Sequence, residues 1–147
     1  AYHEDSLAIC QKIKHSLGEA TSLSGLGEAY YSLGDYNEAI TKHKESLTIL
    51  QNLKNRRGQA NVLGNLGNAY GALGNYKRAI KFYEQKLKIN REPQIKNREG
   101  EATSLNNIGI AYWYLEQTDI AIQKYQDCLK IATPKTIPPL CFKAGRN

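Results

Sequence analysis

Four glycines fall within the thirteen residues GNLGNAYGALGNY, Gly64 to Tyr76, a density typical of loops whose backbone amides cradle phosphate. Phosphate-loop chemistry also needs a lysine and a hydroxyl directly after the last glycine, and no Gly-Lys-Ser/Thr follows any of these. Nucleophilic catalysis needs Ser/His/Asp or Cys/His sets, and none recurs at useful spacing. Cys10, Cys128 and Cys141 are odd in number and far apart, without a CxxC pair for metal or redox work. They read as reduced thiols of a cytoplasmic protein. Adjacent carboxylates such as Glu4 and Asp5 read as solvated charge on a helix surface. The sequence therefore predicts no enzyme, no cofactor and no metal site.

A chain of 147 residues has room for one domain or one short array of repeats. No apolar run approaches the roughly 18 residues a membrane span needs. The opening AYHEDSLAIC sets an acidic pair before its short apolar segment, unlike a secretory signal. Methionine is missing even at position 1, which reads as a piece cut from something longer. The net charge of +6 would permit nucleic-acid contact, but it is scattered. Lys54, Arg56 and Arg57 stand in one place and Arg91, Lys96 and Arg98 in another, without a dense basic run.

The elements that would carry any site come from repetition. Segments beginning at Gly18, Gly58 and Gly100 superimpose at offsets of 40 and then 42 residues, the extra two falling in REPQIKNRE. A partial copy precedes them, since His3-Glu-Asp-Ser-Leu aligns with His43-Lys-Glu-Ser-Leu. Leu63, Leu66, Tyr70 and Leu73 make one helical stripe; Ile80, Tyr83 and Leu87 make another. Between them Gly74-Asn-Tyr is a turn signal. Each repeat thus reads as two antiparallel helices, and seven are expected, over about 2–16, 19–33, 36–52, 59–73, 76–90, 100–115 and 118–132.

Gly67 then lies within a helix, where glycine is about 1 kcal/mol worse than alanine. It recurs as Gly27 and Gly109, which makes sense if a side chain there would strike the partner helix. Ala29, Ala69, Ala111 on one helix and Ala39, Ala79, Ala121 on the other mark the same close approach. The glycines are read as packing devices. His3 and His43 fill the position of Tyr83 and Tyr125 and read as aromatic fillers.

Leu26-Gly27-x-x-Tyr30, Leu66-Gly67-x-x-Tyr70 and Ile108-Gly109-x-x-Tyr112, followed by Gly34-x-Tyr36 or Gly74-x-Tyr76, resemble the tetratricopeptide repeat. The phrasing is most similar to the forty-residue subtype of Pins-type adaptors, kinesin light chains and bacterial multi-repeat proteins. The third copy departs from it, with Glu116 and Thr118 replacing the turn glycine and aromatic, and a looser turn is expected there. The resemblance implies an all-α, right-handed solenoid of helical hairpins. Its expected parts are the second helix of a truncated repeat over 1–17, repeats over 18–57, 58–99 and 100–133, and a Pro-rich extended tail over 134–147.

The first helices carry a face opposite the packing stripe. It holds Thr21, Ser24, Gly25, Glu28, Tyr31 and Ser32, then Asn61, Gly64, Asn65, Asn68, Gly71 and Ala72, then Thr103, Asn106, Asn107, Ile110, Trp113 and Tyr114. Only Glu28 among them is charged, and such a face resembles the core of an interface. In stacked hairpins this face lines the concave side, and family members bind peptides there. The resemblance implies an asparagine ladder, Asn65 and Asn107, that holds the ligand backbone. The expected peptide-binding residues are Ser24, Glu28, Tyr31, Asn61, Asn65, Asn68, Thr103, Asn106, Asn107 and Trp113. Against this, Gly64, Gly71 and Ala72 could simply let first helices approach, the asparagines could bond across repeats, and Trp113 could shield core.

The expected function is a scaffold that holds a peptide segment of a protein partner. The alternative is a structural spacer or self-association element within a larger signalling protein, a homodimer through the open ends of the array; separately, the tail or a second molecule is expected to cover those ends. Nucleic acid is disfavoured because phosphate contacts need lysine and arginine on the uncharged face, and no membrane partner is expected.

Overall fold

The computed structural model describes residues 2–132. The Pro-rich tail, Cys141 and the side chain of His3 lie outside the described residues. Six α-helices follow one another: α1 (Tyr2–Ser32), α2 (Tyr36–Asn52), α3 (Arg56–Ala72), α4 (Tyr76–Asn90), α5 (Arg98–Tyr114) and α6 (Thr118–Ile131). Each packs chiefly on its neighbours in sequence, giving the hairpins α1–α2, α3–α4 and α5–α6 stacked in a row.

The termini of these helices follow from recurrent side chains. Asp35, Asn55, Asn75 and Asn97 each accept a hydrogen bond from the amide three residues on, at 3.3, 2.9, 3.3 and 2.9 Å. Such caps satisfy donors that the first turn leaves open and are worth about 1 kcal/mol each. Within the hairpins, Gly34 and Gly74 take φ of +81° to leave the first helix.

Two expectations are corrected. Helices 2–16 and 19–33 are one continuous helix, so the described residues hold six helices rather than the seven expected. The reason lies in the inter-repeat turn. Lys54 and Lys96 take positive φ just before the capping Asn55 and Asn97. The equivalent pair in the first copy is Lys14-His15, and imidazole is not among the side chains favoured as N-caps. Nothing there stops the helix. The third hairpin turn is also no looser than the others: Glu116 N–H bonds Trp113 O at 3.0 Å and Gln117 N–H bonds Tyr112 O at 3.0 Å, as Gly74 and Asn75 do to Gly71 and Tyr70. Glu116 reaches this geometry at φ +62°, and Gln117 supplies no side-chain cap.

The core runs between hairpin layers, through Leu66, Tyr70, Ile80, Tyr83, Leu87, Leu105 and Ile108. The three repeated glycines sit where the paired helices meet. A Cβ at Gly27 would lie 2.6 Å from His43 Nε2; at Gly67 and Gly109 it would lie 2.5 Å from Cε1 of Tyr83 and Tyr125. No carbon fits there, so each glycine exchanges helix propensity for an aromatic packed on its backbone. Of the described cysteines, Cys10 is free and exposed, as expected, whereas Cys128 is buried and disulfide-bonded, which corrects the reduced reading. No helix among the described residues is long and apolar enough to cross a membrane.

Candidate functional site

Because every repeat has the same helical phase, α1, α3 and α5 present one row of side chains on one side of the stack. Two adjoining cavities open along it. One, of about 230 Å³, is lined by Glu28, Tyr31, Ser32, His43, Asn65 and Asn68. The other, of about 250 Å³, is lined by Tyr31, Asn68, Asn107, Ile110 and Tyr114, and by Tyr76, Ala79 and Tyr83 of α4. Tyr31 and Asn68 belong to both, so the two form one furrow across three first helices.

Its walls are ordered by aromatic and amide contacts. Tyr76 stacks on Tyr114 with ring centres 4.7 Å apart, and Tyr31 meets Tyr36 edge to face at 5.2 Å. The Tyr83 hydroxyl donates to Asn68 Oδ1 at 2.6 Å. Burial, and then nearby Tyr31, push the Tyr83 phenol well above its usual range, so it stays protonated and remains a donor. With Oδ1 engaged, the Asn68 NH₂ is left to donate outward. Under the furrow His43 is buried beside Gly27, its Nδ1 without a partner. Burial lowers its pKa, and Glu28 raises it less.

The residues singled out from the sequence are distributed unevenly. Glu28, Tyr31, Asn65, Asn68 and Asn107 share the furrow. Asn61 is exposed one turn before Asn65, in a separate cavity with Arg57 and Lys86. Ser24 is half-buried and bonds Ser46 Oγ at 3.3 Å, while Thr103 Oγ1 donates to Glu99 O of its own helix at 2.9 Å. Asn106, expected on the same face, is 1% exposed, and its Oδ1 has no hydrogen-bond partner among the described residues. Trp113 is 57% exposed and lines neither cavity of the furrow. Gly64, assigned to the same face, is buried beneath Lys86 of α4.

Sequence reasoning missed Tyr76, Tyr83 and Lys86. Tyr76 stands in the sequence as part of a turn signal and Tyr83 as part of a helical stripe, yet α4 lies beside the next first helix and both line a cavity there. Lys86 had a readable signal. Its repeat pairs lysine with Gly64, where the sister repeats pair Ser46 with Ser24 and Cys128 with Asn106.

The tetratricopeptide-repeat family profile matches residues 1–52, 33–92 and 58–133, which together span all of the described residues. No curated protein matches the sequence. Among solved structures, the TPR domain of Arabidopsis FLU is 21% identical, with a TM-score of 0.73 over 78% of this chain and 95% of that one. The N-terminal domain of stress-induced protein-1 from C. elegans is 17% identical, with a TM-score of 0.72 over 89% and 95%. BtubC from P. vanneervenii is 21% identical, with a TM-score of 0.72 over 88% of this chain and 54% of that one. At such identities the likeness establishes the arrangement of helices.

Proposed function

This chain belongs to the tetratricopeptide-repeat family, whose domains generally mediate protein–protein interaction and are generally non-enzymatic, and from that premise we propose that it holds a peptide segment of a partner in the furrow across α1, α3 and α5. The observation that carries the reading is the continuity of the furrow: Tyr31 and Asn68 join two cavities walled by tyrosine and asparagine. Amides can both donate to and accept from a peptide backbone, and flat phenol rings supply apolar contact at low entropic cost. Glu28 is the one charged side chain of the furrow, which argues against a phosphate backbone as its occupant.

Peptides selected from a random library on the intact chain provide the test. Asn65→Ala with Asn107→Ala should weaken their binding by about 2 kcal/mol, roughly thirty-fold, for two lost hydrogen bonds. Thermal unfolding should be unchanged, because both side chains are half-exposed. Undiminished affinity in the double variant overturns the reading.

A second reading, self-association through the end faces, has its own observation. Leu26 is 48% exposed although its repeat equivalents Leu66 and Ile108 are fully buried, and Ile122 is 48% exposed where Ile40 and Ile80 are covered. These are faces that another hairpin covers inside the array.

A further inference from the structure

Next to the furrow, at the start of α3, a cavity of about 190 Å³ is lined by Arg57, Asn61, Lys86, Asn90 and Asn97, with Ala60 and Ile95. Its polar lining is all donors or amides, with no carboxylate. Four carboxylates lie close by in sequence and none lines the cavity: Glu92 holds Arg56, at 2.6 Å from Nη2, Glu101 holds Arg91 at 2.7 Å, and Glu84 and Glu99 are exposed. Among the described residues, Lys86 and Arg57 make no hydrogen bond or ion pair.

The middle repeat has been altered at two positions to make this place polar. In its sister repeats the equivalent of Lys86 is a short side chain facing a backbone carbonyl. Ser46 Oγ donates to Ala20 O at 2.8 Å, and Cys128 Sγ lies 3.3 Å from Ala102 O. Lysine is too long for that contact and runs over Gly64, where a Cβ would come 2.9 Å from Nζ and 3.1 Å from Cδ. The second change is Asn90, which replaces the core residue Leu50 of the first repeat. Asn90 is 2% exposed, borders the cavity, and its Nδ2 has no hydrogen-bond partner. A buried amide donor left unbonded is destabilising, and an acceptor brought by a ligand would remove that penalty. Burial also pushes the Lys86 ammonium below the ordinary lysine value, with no counter-charge to offset it.

We propose that this cavity is an anion site, and that it takes a side-chain carboxylate of an acidic residue in the bound peptide. Asn61 faces the cavity and Asn65 and Asn68, one and two turns on, face the furrow, so the site lies at one end of the same row. One half-buried ammonium surrounded by neutral amides balances a single negative charge. A phosphate dianion would need a second cation inside, and Arg57 is exposed at the rim. Asn97 Oδ1 accepts from the Gly100 amide as a helix cap, which leaves its NH₂ as a donor. The proposal rests on the furrow reading for the carrier of the carboxylate, and not for the anion site itself.

The test titrates the labelled chain with acetyl-Glu-Glu-Glu-amide, which has no terminal carboxylate, and follows the side-chain amide resonances of Asn61, Asn90 and Asn97. Saturable shifts are expected with it, and none with acetyl-Gln-Gln-Gln-amide. Lys86→Ser, which restores the residue of the first repeat and so keeps the fold, should weaken the interaction at least tenfold. Gly64→Ala, which keeps the charge but crowds the lysine stem, should weaken it as well. Asn65→Ala with Asn107→Ala should leave this titration unchanged while weakening the library-selected peptides, so the two proposals fail separately. Equal binding by Lys86→Ser, or no saturable shift, overturns the anion site. Inorganic phosphate binding more tightly than the triglutamate overturns the choice of carboxylate.

Discussion

At the scale of single residues, the position facing the repeated glycine shows how one site tolerates two chemistries. Tyr83 and Tyr125 fill it in two repeats and His43 in the first. The phenol tolerates burial as a neutral group, while imidazole does so only while uncharged. The His43 pKa is lowered from 6.5, by burial first, against a smaller opposite effect of Glu28. Its folded value lies below its unfolded value, so the unfolded chain binds the proton more readily. The stability it contributes is therefore complete above pH 6.5 and is lost as pH falls toward the folded value. Melting temperatures measured across acid pH should fall less steeply in His43→Tyr than in the parent chain. Parallel profiles would show that His43 carries no such linkage. The aromatic-filler role was legible in the sequence from the recurrence of tyrosine at one position. The unpartnered Nδ1 was not, because periodicity reports which side a residue faces and not who meets it.

Helices are where the sequence reading was strongest, and α1 shows where it stopped. Five of the helices agree with the expected bounds to within a few residues, since caps and turn glycines recur in the text itself. The sixth absorbed two expected helices, because repetition implied a turn that the local residues Lys14-His15 do not supply. Gly18 sits within this helix with open space on its Cβ side. Gly18→Ala should therefore add about 1 kcal/mol of stability, together with helicity measurable by circular dichroism. A loss on that substitution would mean that the chain needs a turn here. The furrow was half legible for a similar reason. Asn65, Asn68 and Asn107 follow from helical phase, whereas burial of Asn106 and the reach of Lys86 over Gly64 depend on how close two helices come.

For the whole molecule, position in the row sets the worth of a residue more than its motif does. Leu26 and Leu66 are the same motif leucine, but the first is 48% exposed and the second fully buried. In urea unfolding, Leu66→Ala should cost about 3 kcal/mol and Leu26→Ala less than about 1 kcal/mol. If copies stack end to end, Leu26→Ala would instead cost nearly as much, and the cost would rise with protein concentration. The measurement thus separates an isolated array from a self-associating one.

The row of hairpins touches mainly from neighbour to neighbour, and this bears on how binding would register. With few ties between distant layers, the terminal hairpins can open while the middle one holds. A strand lying along α1, α3 and α5 would act as a splint, joining layers that otherwise communicate only in series. Occupancy would then be felt most at the frayed ends, as slowed amide exchange far from any contacted side chain and as a sharper melt of the whole array.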